Sequence, residues 1–136
     1  MTRELLLADK IMKEANDVTG CRFWIGSYKE GYVVESKSSK NGMILDVRIE
    51  VQESEVTIYT IFSGCGFDEE KVKRELDLMG STIKTIKAIE ISDEVVKLEC
   101  KMSFIYARRN TRHMIVWMML PMVVKMSNLI KNKTAA

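Results

Sequence analysis

The sequence predicts one α+β domain, spanning residues 1–136, in which helices cover one face of an antiparallel sheet. With 136 residues, of which 46% are hydrophobic and 29% charged, the chain is long enough to bury a single core. Four short β-type segments follow one another through connections that are too short for a parallel crossover. Segments with helical spacing precede and follow them. The expected order is an N-terminal helix, a four-strand meander, a helix, a β-hairpin and a long C-terminal helix with a proline kink.

The first predicted element is an amphipathic helix over Thr2–Asn16. Apolar residues recur in it at helical spacing, namely Leu5, Ala8, Met12 and Ala15. Thr2 is a suitable N-cap, and Gly20 marks the point before which the helix should end.

Four strands are predicted next, and they form a meander. Their expected ranges are Cys21–Tyr28, Tyr32–Ser36, Met43–Val51 and Glu55–Phe62. The third has the clearest pattern, because every second residue from Met43 to Val51 is apolar and those between are mostly polar. One face of this sheet should therefore belong to the core.

A helix over Phe67–Gly80 and a hairpin follow. Asp68 is the expected N-cap, and the expected buried stripe is Val72, Leu76 and Met79. The hairpin strands are predicted over Thr82–Ser92 and Glu94–Phe104. Ile83 and Ile86 break the alternation by one residue, which predicts a bulge in the fifth strand.

The last predicted element is a helix from about Ala107 to Ile130 that contains the only proline. Pro121 has no N–H for a helical hydrogen bond, so we expect a kink or a break near Leu120. The apolar run Met114–Val124 lies within this helix. A bilayer requires about 20 apolar residues, so this shorter run predicts no membrane span.

This helix is apolar on too many sides to be an ordinary surface helix. A homodimer interface is one way to cover its outer side. The residues expected in a dimer or partner interface are Met114, Trp117, Met118, Met119 and Met122. The alternative is that these methionines pack on the chain's own sheet and fill gaps in the core.

A basic cluster stands at the predicted start of the same helix. Arg108, Arg109 and Arg112 are candidate contacts for an anion or an acidic partner. Since charge runs usually form solvated faces, that is the alternative interpretation. A formal net charge of +2 is nearly balanced, so no nucleic-acid partner is expected.

The sequence offers little support for catalysis or metal binding. His113 is the only histidine, no residues have metal-ligand spacing, and we expect neither a metal nor a cofactor. Cys65, in Ser63-Gly-Cys-Gly66 before a predicted helix, is a possible nucleophile or an ordinary loop residue. The three cysteines form no CxxC pair, and Leu5–Ala8 is too short for a secretory signal, so a cytoplasmic location is expected.

The element order and pattern over Cys21–Ile130 resemble those of the bacterial YbjN family. The similarity is most visible in Phe67–Gly80, in Ile83–Phe104 and in the apolar helix Met114–Val124. The YbjN fold is similar to that of type III secretion chaperones, which are dimers that bind extended segments of their clients. The resemblance implies a regulatory or partner-binding role and supplies no catalytic motif.

Two functions from different classes follow from these observations. The first is a non-catalytic protein-interaction or regulatory module that binds a client peptide or partner protein as a homodimer. The alternative is a small-ligand sensory domain with a pocket between the sheet and the helices. An enzyme acting through Cys65 is a third hypothesis, which we do not adopt.

Overall fold

The computed structural model describes residues 1–40, 42–64 and 66–129. Six antiparallel strands form one sheet in the order β1-β2-β3-β4-β6-β5. The strands are β1 (Trp24–Tyr28), β2 (Gly31–Lys40), β3 (Met43–Val51), β4 (Glu55–Ser63), β5 (Ile86–Ile91) and β6 (Val95–Ser103). The helices are α1 (Arg3–Thr19), α2 (Glu69–Gly80), α3 (Phe104–Arg109), α4 (Thr111–Met114), a π-helix (Ile115–Met119) and α5 (Leu120–Ser127). The predicted α+β class and element order are confirmed.

Helix α1 begins and ends where its capping residues require. The Thr2 hydroxyl accepts a hydrogen bond from the Leu5 N–H at 3.2 Å, as predicted for an N-cap. Gly20 adopts a left-handed conformation with φ 69°, and its N–H donates to the Asn16 carbonyl oxygen. The helix therefore continues to Thr19, three residues beyond the predicted end.

Strand β2 is longer than predicted, because its polar end continues to pair. Lys37 lies opposite Asp46, and Lys40 lies opposite Met43. A tight turn that includes Gly42, with φ 82°, joins the two strands directly. Residues 37–40, which the sequence suggested were a polar connection, are therefore the second half of the strand.

Helix α2 has the predicted cap. The Asp68 carboxylate accepts hydrogen bonds from the Glu70 and Lys71 N–H groups. Val72 and Met79 are buried as predicted, and Leu76 is partly buried. The helix ends at Gly80.

The hairpin begins later than predicted, and the bulge lies elsewhere. The register shift in β5 falls between Ala88 and Glu90. Ile83 is buried but is not in a strand, and its N–H donates to the Met79 carbonyl oxygen at 2.7 Å. The fifth strand does carry a bulge, but its predicted position at Ile83 and Ile86 is wrong, because Ile83 lies in the connection between α2 and β5.

The apolar sets of β3 and β6 share one face of the sheet, as predicted. Val47 lies opposite Thr60, and Thr60 lies opposite Leu98. Because side chains alternate along each strand, this register places every second residue of the three strands on the same face. Helices α1 and α3 pack against that face, which forms the core.

The C-terminal segment is divided into several helices. Phe104, predicted as the last strand residue, starts α3, because the Ser103 hydroxyl caps it by accepting from the Tyr106 N–H at 3.1 Å. Helix α3 ends at Arg109, and the following residue, Asn110, has a non-helical φ of −128° that separates α3 from α4. This break was not predicted.

The proline is preceded by a π-helical turn. The Leu120 N–H donates to the Ile115 carbonyl oxygen, five residues earlier, and α geometry resumes at Leu120. The departure from regular α-helix near Leu120 was predicted from Pro121. The predicted helix end at Ile130 lies outside the described residues.

Candidate functional site

Three of the five predicted interface residues lie in the core of the single chain. Met114, Met119 and Met122 are all buried. Helices α1 and α2 both contact this segment, so its inner side is covered by helices in addition to the sheet. From the sequence we expected only the sheet to cover this helix. Because α1 and α2 cover it as well, these methionines are buried without a second chain.

The π-helical turn selects which methionines face inward. With steps of four, Met118 would follow Met114 on the buried stripe. Because the π turn contains an extra residue, the stripe passes from Met114 to Met119, and Met118 is only partly buried. The predicted interface is therefore reduced to Trp117 and Met118.

A groove of about 500 Å³ lies between α2 and this outer side. Trp117 is 64% exposed, and Leu78 on α2 is 62% exposed. The groove is lined by Glu75, Leu78, Met79, Thr82, His113, Trp117, Met118, Pro121 and Lys125. It is thus a largely apolar depression with a protruding tryptophan on one wall.

Charged groups also line this groove. The Lys125 ammonium lies 4.0 Å from a Glu75 carboxylate oxygen, which links α5 to α2. The His113 ring lies 6.3 Å from the Trp117 ring, centroid to centroid, in a tilted arrangement. The groove therefore has an apolar wall and a paired cation and anion.

The predicted basic cluster is divided between two helices. Arg112 donates to Glu14 at 2.8 Å and to Asp17 at 3.1 Å, and these hydrogen bonds raise the pKa of its guanidinium. Arg112 therefore joins α4 to α1. The remaining two arginines, Arg108 and Arg109, are exposed.

The position of Arg108 and Arg109 in the helix also differs from the prediction. They lie in the last turn of α3, where a cation stabilises the negative end of the helix dipole. The sequence placed them at a helix start, because one long C-terminal helix was predicted to begin at about Ala107. Their placement is favourable within the chain and needs no bound anion.

A second cavity, of about 300 Å³, lies between the sheet and the helices. The lining residues are Val18, Thr19, Cys21, Phe23, Ser36, Ser38, Leu45, Val47, Met119, Leu120 and Val123. It is bounded by the end of α1, by β2 and β3, and by the π-helix with α5. The alternative function given by the sequence, a small-ligand sensory domain, assumed a pocket in this layer and named no lining residues.

Two serines in β2 are the sequence feature from which this cavity could have been predicted. Ser36 and Ser38 continue the alternation of Val34 and lie opposite Val47 and Leu45. Small polar residues in a row of core positions leave space and introduce hydroxyl groups. The groove could have been predicted from Leu78, an apolar residue that does not belong to the buried stripe of α2.

The cysteines and the histidine occupy separate places. Cys100 is buried, its pKa is raised by burial, and its sulfur lies 3.2 Å from the Thr85 hydroxyl. Cys21 is exposed at the second cavity. Cys65 lies outside the described residues. Within residues 1–40, 42–64 and 66–129, no three His, Cys, Asp or Glu side chains are grouped to hold a metal ion.

Comparison with known proteins gives one structural similarity. No protein-family model matches the chain, and no curated protein matches it in sequence. The chain is similar to the crystal structure of YbjN from E. coli, a candidate transcription regulator, with a TM-score of 0.43 and 13% identity over 90% of this chain and 95% of that chain. This similarity does not establish membership of the YbjN family, which stays a prediction. In the described part of the chain, no helix has the length and apolar content to cross a membrane.

Proposed function

We propose that the protein is a non-catalytic interaction module that forms a homodimer through the groove between α2 and the π-helix. The observation that carries this proposal is the exposure of Trp117 beside Leu78 at an apolar groove. Tryptophan is the residue most enriched among the energetic centres of protein interfaces. Large apolar side chains that share a depression are typical of interaction sites.

A second copy of the chain is the occupant that best fits this groove. A twofold interface brings the same patch of both chains together, so the patch must carry both a protrusion and a depression. Trp117 provides the protrusion, and the space beside Leu78 and Pro121 provides the depression. Lys125 and Glu75 provide opposite charges, so two copies would not repel each other there. The proposed setting is the cytoplasm.

The test is the molar mass in solution over a range of concentrations. Trp117→Lys should weaken association by about 30-fold or more, as expected for an interface centre worth at least ~2 kcal/mol. The melting temperature of the dissociated chain should stay unchanged, because Trp117 makes few contacts within one chain. Trp24→Lys is the matched control, since Trp24 is 45% exposed on β1, on the other face of the sheet.

A monomeric wild type at high concentration would reject the homodimer. Equal weakening by both substitutions would place the interface elsewhere. Loss of association only with Trp117→Lys is the expected result.

The second candidate function is binding of a small ligand, and the cavity between β2, β3 and α5 favours it. Its volume lies at the lower end of the range of known ligand sites. A ligand that binds only the folded chain raises its melting temperature. A panel of small apolar compounds that leaves the melting temperature unchanged would reject this function.

A further inference from the structure

We infer that the cavity between the sheet and α5 takes a small, uncharged apolar molecule that carries one hydrogen-bonding group, such as a hydroxyl. This inference rests on the second proposed function, and it adds the chemical class of the ligand. It stands on the shape of the cavity, on the hydroxyl at its inner end, on the charge of its lining and on the geometry of its helical wall.

The exposure of the lining residues gives the cavity an inner end and a mouth. Phe23, Val47 and Met119 are buried although they line the cavity, so they form its inner end. Cys21 and Ser38 are exposed and therefore mark the mouth. A molecule entering between them would be enclosed by apolar side chains.

The inner end also carries a hydroxyl group, that of Ser36. Ser36 is 8% exposed and lines the cavity. A polar ligand group placed beside this hydroxyl would gain a hydrogen bond inside an otherwise apolar cavity. Because Ser36 both donates and accepts, it suits a hydroxyl or a carbonyl oxygen.

The lining contains no charged side chain. A carboxylate or an ammonium group inside this cavity would lose its hydration without gaining an opposite charge. An uncharged ligand is therefore favoured over an ionised one of the same length.

The helical wall of the cavity is irregular where it meets this space. Met119 ends the π-helical turn, and Leu120 begins α5. Both residues line the cavity. Such π-helical turns occur frequently at functional sites.

Octanol and octanoate, measured by calorimetric titration with the full chain, provide the test. Octanol should bind at least tenfold more tightly than octanoate at neutral pH. Ser36→Ala should weaken octanol binding by about two- to tenfold, as expected for one lost hydrogen bond.

Two adjacent serines of β2 give a blocking variant and its control. Ser38→Phe places a ring at the mouth and should abolish octanol binding. Ser39→Phe makes the same change one residue later, on the opposite face of the sheet, and should leave binding unchanged. Both positions are exposed, so both variants should fold.

The outcomes distinguish an error in the chemical class of the ligand from the absence of ligand binding in this cavity. If octanoate binds as tightly as octanol and Ser38→Phe blocks both, the cavity binds ligands but the uncharged class is wrong. If neither compound binds, or if Ser39→Phe weakens binding as much as Ser38→Phe does, the cavity is not the site and both proposals fail.

Discussion

Two adjacent rows of cross-strand neighbours cross all six strands, one on each face of the sheet. The inner row, on the face covered by helices, is Ile25, Val34, Ile49, Ile58, Cys100 and Ile86. The outer row, one residue along each strand, is Trp24, Glu35, Arg48, Tyr59, Glu99 and Lys87. A shift of one residue thus changes an entirely apolar row into one that is charged and aromatic.

The outer row is ordered by charge. Arg48 lies 3.3 Å from Glu35, and Lys87 lies 3.5 Å from Glu99. The Arg48 guanidinium also lies 4.4 Å from the centre of the Tyr28 ring. Neighbouring side chains in this row never carry the same charge, and like charges directly opposite each other would destabilise the pairing.

The two rows contribute differently to the fold. A partly exposed ion pair such as Arg48–Glu35 contributes about 0–1 kcal/mol, while a buried isoleucine side chain contributes about 1.5–3 kcal/mol. The inner row therefore supplies most of the stability. The outer row opposes any shift in register, because a one-residue slip would move its charges into the core.

The largest expected effect compares the same substitution on both faces of β4. Ile58→Ala should lower the free energy of unfolding by about 2–5 kcal/mol, because Ile58 is fully buried. Ile61→Ala should lower it by about 1 kcal/mol or less, since Ile61 is partly exposed on the outer face. Urea unfolding of both variants measures the difference. Similar losses of unfolding free energy in the two variants would show that the outer face of the sheet is also buried.

The next effect concerns the outer row alone and depends on pH. Burial, followed by the charges of Glu50 and Glu99, raises the pKa of Tyr59 from 10.0 to about 12. Between these values the unfolded chain releases the phenolic proton and the folded chain keeps it, so stability falls as pH rises. The loss should be roughly 1–2 kcal/mol after screening by solvent.

Tyr59→Phe isolates this contribution. Urea unfolding at pH 8 and pH 11 should show a smaller loss of unfolding free energy for the variant than for the wild type, because phenylalanine has no phenolic proton to release. An equal loss in the two proteins would contradict the raised pKa. Titration of the phenolate absorbance provides an independent measurement.

The sequence was sufficient to predict those features that depend only on residues within one helix or strand. The alternation in β3 and the caps Thr2 and Asp68 each depend on residues within one element, and all were confirmed. The sequence also predicted that the apolar residues of β3 and β6 share one face of the sheet. Each strand alternates between apolar and polar residues, and a sheet that is covered by helices on one side has only one apolar face.

The candidate site was less predictable, because it depends on contacts between distant elements. Burial of Met119 requires a π-helical turn, and the sequence predicted only that Pro121 would disturb the helix. The pairing of Arg112 with Glu14 and Asp17 requires that α1 and α4 be neighbours. The breaks at Asn110 and before Pro121 change which residues face outward, and no periodicity in the sequence records them.

The smallest expected effect compares two threonines of β4 on opposite faces. The Thr60 hydroxyl is buried on the inner face and has no hydrogen-bond partner among the described residues. Thr60→Val keeps the shape and removes the unpaired group, so it should raise the free energy of unfolding by about 1 kcal/mol. This would be a gain in stability from the loss of a polar group.

Thr57→Val is the control on the outer face. Thr57 is also buried, but its hydroxyl donates to a Glu55 carboxylate oxygen at 3.5 Å. Its replacement should therefore lower the free energy of unfolding, by roughly 0.5 kcal/mol for so long a hydrogen bond. The midpoint of urea unfolding, at unchanged slope, measures both variants. A loss with Thr60→Val as well would mean that the buried hydroxyl is satisfied, and that the inner face tolerates polar groups as the outer face does.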